Sequence, residues 1–225
     1  MAIKIVRLED DWVLVTASRA MVLQIHCRGQ LKHYLSNLEN LNGYIQLVQG
    51  FHAPQPNFEE LLAQLNRYYA LNRQAVFQPQ EFADVLHDHV QSIRQTPDFG
   101  PNNIDVILNA YEGFEASFRR ALNRAERLPD ISLSKLLHTV KPTSFWIVDS
   151  YVERILDISG YRTEDTSLFQ AFGNALRDLY ADPDALSLVE FLRAEHAALI
   201  GDRNPGLAQQ QVSILKLLDE IFWYK

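Results

Sequence analysis

Proline and glycine punctuation constrains this chain more than any other feature. Breaks fall at Gly50 to Pro56, at Pro79, at Pro97 to Pro101, at Leu128-Pro129, at Pro142, at Ser159-Gly160, at Asp182-Pro183 and at Gly201 to Gly206. Each contains residues that favour a turn or cannot continue a helix. Between the breaks, apolar residues recur at three- and four-residue steps: Leu61, Leu62, Leu65, Tyr68 and Tyr69; Phe82, Val85, Leu86 and Val90; Phe114, Phe118, Ala121 and Leu122. That is the period of a helix with one apolar face. The spacing predicts roughly nine or ten helices of ordinary length. The expected fold is all-α, a compact multi-helix domain over residues 1–225 that PDFGP at 97–101 could divide into two lobes around a cleft. Strand-like runs are confined to IKIVRL near the start and FWIV before Asp149, both too short to demand a sheet.

Composition narrows the chemistry. The only cysteine is Cys27, so the chain can form no internal disulfide and no site needing several thiolates, which favours a reducing compartment. Glu9, Asp10 and Asp11 stand where a leader would carry its apolar stretch, and no apolar run approaches the roughly 18 residues of a membrane span. The expected address is the cytoplasm, with no membrane partner. The net charge of −7 argues against broad attraction to nucleic acid. The charge is nevertheless uneven: six cations stand against two anions from Phe118 to Lys141, and four against nine from Tyr151 to Ile200. Arg119, Arg120, Arg124 and Lys141 therefore offer a local anion-binding face, the ordinary alternative being a solvated helix flank.

The basic stretch runs into LPDISLSKLLHTVKPTSFWIVDSYVERIL, residues 128–156. Over 131–140, Leu133, Leu136, Leu137 and Val140 share one helix face, and Lys135 lies nearly opposite, pointing away from the local core. Pro142 ends that helix. Ser150 and Glu153 have the spacing of a capping box for the next one, which puts Asp149 just outside its N-terminus. An early-turn cation facing the positive end of the helix dipole is biased toward the neutral amine, and an anion beside an N-terminus is held ionised. An amine of that kind can attack carbon and form a Schiff base while a carboxylate steadies developing positive charge. Phe145 and Trp146 could stack on a base, and His138 could act as an acid or base beside Lys135. The structural alternatives are a loop anchored to the core and a hydrogen-bonded histidine.

The same residues carry a resemblance. A Leu-Pro corner, a lysine in the following helix and an apolar run ending in V-D-x-x-V-x-R resemble the hairpin-to-aspartate segment of the helix-hairpin-helix DNA glycosylases, the 8-oxoguanine glycosylase branch in particular. S-K-L-L-H-x-x-x-P-x-x-F-x-I-x-D and LLDEIFW are also similar to a group of bacterial helical proteins distantly related to that superfamily. The resemblance implies a helical fold, duplex DNA as partner, a nucleophile at Lys135, an electrostatic or proton-transfer role at Asp149, and no cofactor. Two departures accompany it. Asp130-Ile131-Ser132 replaces the glycine pair that approaches a phosphate, and the lysine-to-aspartate spacing is shorter by about one helical turn. A non-catalytic helical module with a protein partner, a defence or regulatory accessory, is the competing expectation.

Other chemistries find no support. His87 and His89 sit two apart, so on a helix they diverge by about 200° and cannot face one ion. The chain has no nucleophile-elbow, phosphate-loop or dinucleotide pattern. The terminal helix carrying Ile214, Leu217, Leu218, Ile221 and Phe222 is expected to close the core.

Overall fold

In the computed structural model, described over residues 3–18, 21–69, 71, 78–208 and 212–222, the breaks become helix ends. Strands β1 (Lys4–Leu8), β2 (Asp11–Ala17) and β3 (Val22–His26) come first, and α1 (Cys27–Tyr34) follows directly. Next are α2 (Leu38–Phe51), α3 (Phe58–Tyr69), α4 (Pro79–Arg94), a 3-10 turn at Pro101–Asn103, α5 (Ile104–Ala121) and α6 (Asp130–Val140). The chain closes with α7 (Ser150–Ser159), α8 (Leu168–Ala181), α9 (Ala185–Gly201), the short α10 (Pro205–Ala208) and α11 (Ile214–Phe222). The fold is mostly helical. Pro79 is the first residue of α4, where its missing N–H costs nothing. Gly160 caps α7 with φ 73°, a left-handed conformation that favours glycine.

The sheet is an addition to the expected all-helical body. It is an antiparallel meander in the order β1-β2-β3, with Ile5 paired to Leu14 and Leu14 to Ile25. Those three side chains share one buried face, because alternate residues of a strand point to the same side. FWIV, the other strand-like run, is buried but forms no strand.

The chain forms two units. One is split in sequence, Met1–Asn40 with Ile147–Lys225, and the other is continuous, Leu41–Trp146. The stretch 97–101 lies inside the continuous unit. In the split unit, α7 packs on β2 and is tied to it by Thr16 Oγ1 donating to Ser159 Oγ at 2.6 Å. Helix α1 packs on α9 and α11, and Arg28 joins α1 to Glu195 of α9 at 2.9 Å while lying over the Phe191 ring. In the continuous unit, α4 contacts α3, α5 and α6 around a core that includes Leu62, Leu86, Ile107, Phe118 and Leu136.

Candidate functional site

Helix α6 carries the candidate amine. Every residue from Ser132 to Val140 is buried, so the face opposite the leucine stripe is covered as well. Lys135 does lie on that opposite face, but it is only 8% exposed, and its Nζ sits 4.9 Å from the centroid of the Tyr69 ring. The expectation that it points out of the core is corrected by this second layer. So is its place in the helix: α6 begins at Asp130, which puts Lys135 in the second turn, beyond most of the dipole's reach. Hydroxyls nearby turn back on the helix, Thr139 Oγ1 donating to the Lys135 carbonyl at 2.8 Å and Ser134 Oγ to that of Ile131 at 3.3 Å.

The corner leading into α6 is built by α5, and Glu115 is central to it. This buried carboxylate accepts the Leu128 amide at 2.9 Å and lies 3.5 Å from Arg119. Tyr111 donates to Asp130 Oδ1 at 2.9 Å, with Arg127 3.6 Å from the same oxygen. Burial raises the Tyr111 hydroxyl well above its ordinary range, and Asp130 adds to the effect. The Asp130 carboxylate is thus engaged within the protein.

His138, Phe145 and Trp146 are fully buried. His138 Nδ1 is 2.6 Å from the Phe145 carbonyl and Nε2 is 2.8 Å from the Tyr44 hydroxyl. A carbonyl can only accept, so Nδ1 carries the hydrogen; in the neutral ring Nε2 then accepts from Tyr44. Phe145 meets Phe114 edge-on at 6.1 Å and Trp146 meets Phe99 at 6.3 Å. Within this unit, all three residues hold the 142–146 loop against α2, α5 and the 97–101 stretch.

The candidate carboxylate belongs to the split unit. Asp149, 6% exposed, is itself the N-cap of α7, accepting from the Tyr151 amide at 2.9 Å and the Val152 amide at 3.1 Å. The proposed Ser150–Glu153 capping box is displaced by one residue: Ser150 is already helical, and the Glu153 side chain pairs with Arg162. Asp149 wins the cap position because its carboxylate reaches two otherwise orphaned amides at once.

The predicted basic face is largely matched by acid. Arg124 pairs with Glu81 at 3.2 Å, Arg127 with Glu112 at 2.8 Å, and Lys141 with Asp98 at 2.6 Å; Arg119 pairs with Glu115 as above. Arg120 is exposed. The Lys141 ammonium and the Thr143 hydroxyl hold the Asp98 carboxyl below its usual range. His87 lies edge-on to Phe58, and His89 packs on Phe114 and Phe118. No group of three or more His, Cys, Asp or Glu among the described residues is arranged to hold a metal.

Sequence reasoning missed a second set of buried charges, in the split unit. Residues Leu215–Phe222 of α11 are all buried. Lys216 pairs with Asp219 at 2.6 Å, the side chains being 2% and 4% exposed, and its Nζ lies 4.7 Å from the Tyr34 ring centroid. Glu220 Oε2 is 3.5 Å from His196 Nε2, and neither Glu220 oxygen has a hydrogen-bond partner among the described residues. The only advance signal was the three-residue Lys-Asp spacing, which surface helices share.

Compared with family models, curated proteins and solved structures, the chain matches none. No helix among the described residues is long and apolar enough to cross a membrane.

Proposed function

We propose that this chain binds DNA and acts on damaged or modified bases in the manner of the helix-hairpin-helix glycosylases that residues 128–156 resemble. Lys135 is the nucleophile. One observation carries the reading: Lys135 is buried, only 8% of the residue being exposed, and its Nζ rests 4.9 Å from the centroid of the Tyr69 ring. Lysines kept for solubility leave the ammonium in water and bury only the stem. A desolvated lysine is the kind that serves as a nucleophile. In the reaction, the amine lone pair bonds to the sugar anomeric carbon. The base leaves with the electrons of the glycosidic bond and takes up a proton; the nitrogen then loses one proton, and its lone pair opens the sugar by breaking the C1′–O4′ bond, O4′ taking up a proton, to leave a protonated imine.

Borohydride trapping tests this directly, because hydride adds to the imine carbon and leaves a stable secondary amine. The wild-type protein is expected to crosslink to an abasic or 8-oxoguanine duplex, Lys135→Met to lose the crosslink, and Lys32→Met, at an exposed lysine of α1, to keep it. A protein that binds these duplexes and never crosslinks is not a lyase of this kind.

The ion pairs of Arg119, Arg124 and Lys141 favour a second reading, a helical module with a protein partner and no chemistry. Partly exposed pairs such as Arg124–Glu81 and Lys141–Asp98 are worth only about 0–1 kcal/mol each, so phosphates could displace them. Salt dependence separates the two: phosphate contacts produce a steep loss of affinity with salt, and a protein-binding module shows none on duplex DNA.

A further inference from the structure

Lys135 does not reach its place through its own helix alone. Its Nζ lies 4.9 Å from the Tyr69 centroid, inside the roughly 6 Å within which an ammonium is held by the negative face of an aromatic ring. Tyr69 is the last residue of α3, where a side chain is usually freest to turn. Its ring is fixed by Tyr68, which meets it at 4.7 Å with the planes at 89°. Tyr68 in turn occupies space that α2 leaves open. A Cβ at Gly43 would lie 3.3 Å from Tyr68 Cε2 and 3.4 Å from Cδ2, so alanine there would press on that ring. The succession Gly43, Tyr68, Tyr69, Lys135 therefore runs through three helices of one unit. Neither a resemblance at 128–156 nor the local helix pattern points to it.

We propose that Tyr69 is a positioning residue for Lys135: its ring face, braced by Tyr68 against Gly43, seats the amine as an ammonium and fixes where it waits for the sugar carbon. The inference rests on the reading of Lys135 as a nucleophile. Tyr69 takes part in no bond that forms or breaks. Its contribution is electrostatic and geometric, so phenylalanine, which keeps the ring face, should substitute for it, and leucine should not.

The test follows the borohydride crosslink to an abasic duplex as a function of pH for wild type, Tyr69→Phe and Tyr69→Leu. It also follows the NMR titration of Lys135 after reductive ¹³C-methylation of the lysines, with Lys135→Arg to assign the signal. Removing the ring takes away a stabiliser of the ammonium, so in Tyr69→Leu the half-rate pH and the Lys135 titration should both fall, by about half a unit to one unit. Tyr69→Phe should stay within about twofold of wild type across the profile. If Tyr69→Leu does not fold, fluorinated phenylalanines at position 69 keep the shape while weakening the ring's negative face. Their titrations should fall in order of fluorination. A Lys135 signal unmoved across the series overturns the proposal. A wild type that gives no crosslink but shows the ordered shift overturns the nucleophile reading and leaves the seat standing.

Discussion

Changing Asp149 to alanine removes the acceptor for the Tyr151 and Val152 amides. The loss of a side-chain N-cap costs about 1 kcal/mol and up to about 2. The Val152 amide is buried, so water cannot take over, and an unsatisfied buried donor costs about 1–3 kcal/mol. These two figures describe largely the same bond and are not summed. The charge–dipole interaction adds about 0.3–1 kcal/mol. Asp149→Ala should therefore cost about 2–3 kcal/mol, while Asp149→Asn, which keeps an oxygen in place, should lose only the charge–dipole part. For a chain of this size 1 kcal/mol moves the melting midpoint by about 2–4 °C. The alanine variant should thus melt roughly 4–12 °C lower and the asparagine variant no more than about 4 °C lower, as followed by circular dichroism. If asparagine proves as damaging as alanine, or alanine lies within about 0.5 kcal/mol of wild type, the cap is not what Asp149 supplies to the fold.

The buried pair of α11 should behave differently from a surface pair. Lys216→Met alone should destabilise by about 3–5 kcal/mol, because Asp219 is left buried with its charge uncompensated, and Lys216→Met with Asp219→Leu should recover most of that in urea unfolding; additive losses would refute it. Burial pushes the Cys27 thiol well above its ordinary range, with Asp11 adding to the effect. It should resist thiol reagents at pH 8 until urea opens the split unit, and labelling at the rate of an exposed thiol would overturn this. The folded protein holds the Asp98 carboxyl below its usual range, so its stabilisation is present above the unfolded value near pH 4 and is lost as pH falls through the folded one. The stability difference between wild type and Asp98→Asn should shrink on acidification from pH 6 to pH 3, and a constant difference would refute the assignment.

Helix boundaries were legible because their signals are local: Pro79, Pro142, Ser159-Gly160 and Asp182-Pro183 each end or start a helix within a residue or two of where the sequence places the break. The sheet was not, although VLQIH alternates as a strand should. Five residues are too few to decide between periods, and the pairing that stabilises β1 to β3 joins separate segments. The position of Lys135 opposite its leucine stripe could be read from spacing. Its burial could not, because the cover comes from Tyr69, more than sixty residues earlier in the chain. The same limit applies to Lys216, Asp219 and Glu220, whose spacing on α11 matches that of solvated charges.

The division of the split unit between the two ends of the chain sets an order of events at the ribosome. The meander emerges first with α1, which packs on it, but α7 and α11, which complete that packing, emerge only after the whole of residues 41–146. At about 5–20 residues per second that is a wait of roughly 5–20 seconds. Throughout it, the sheet that carries Ile5, Leu14 and Ile25 lacks the cover of α7 and α11. A nascent chain paused before α7 should be a substrate for holdase chaperones, even with residues 41–146 already folded.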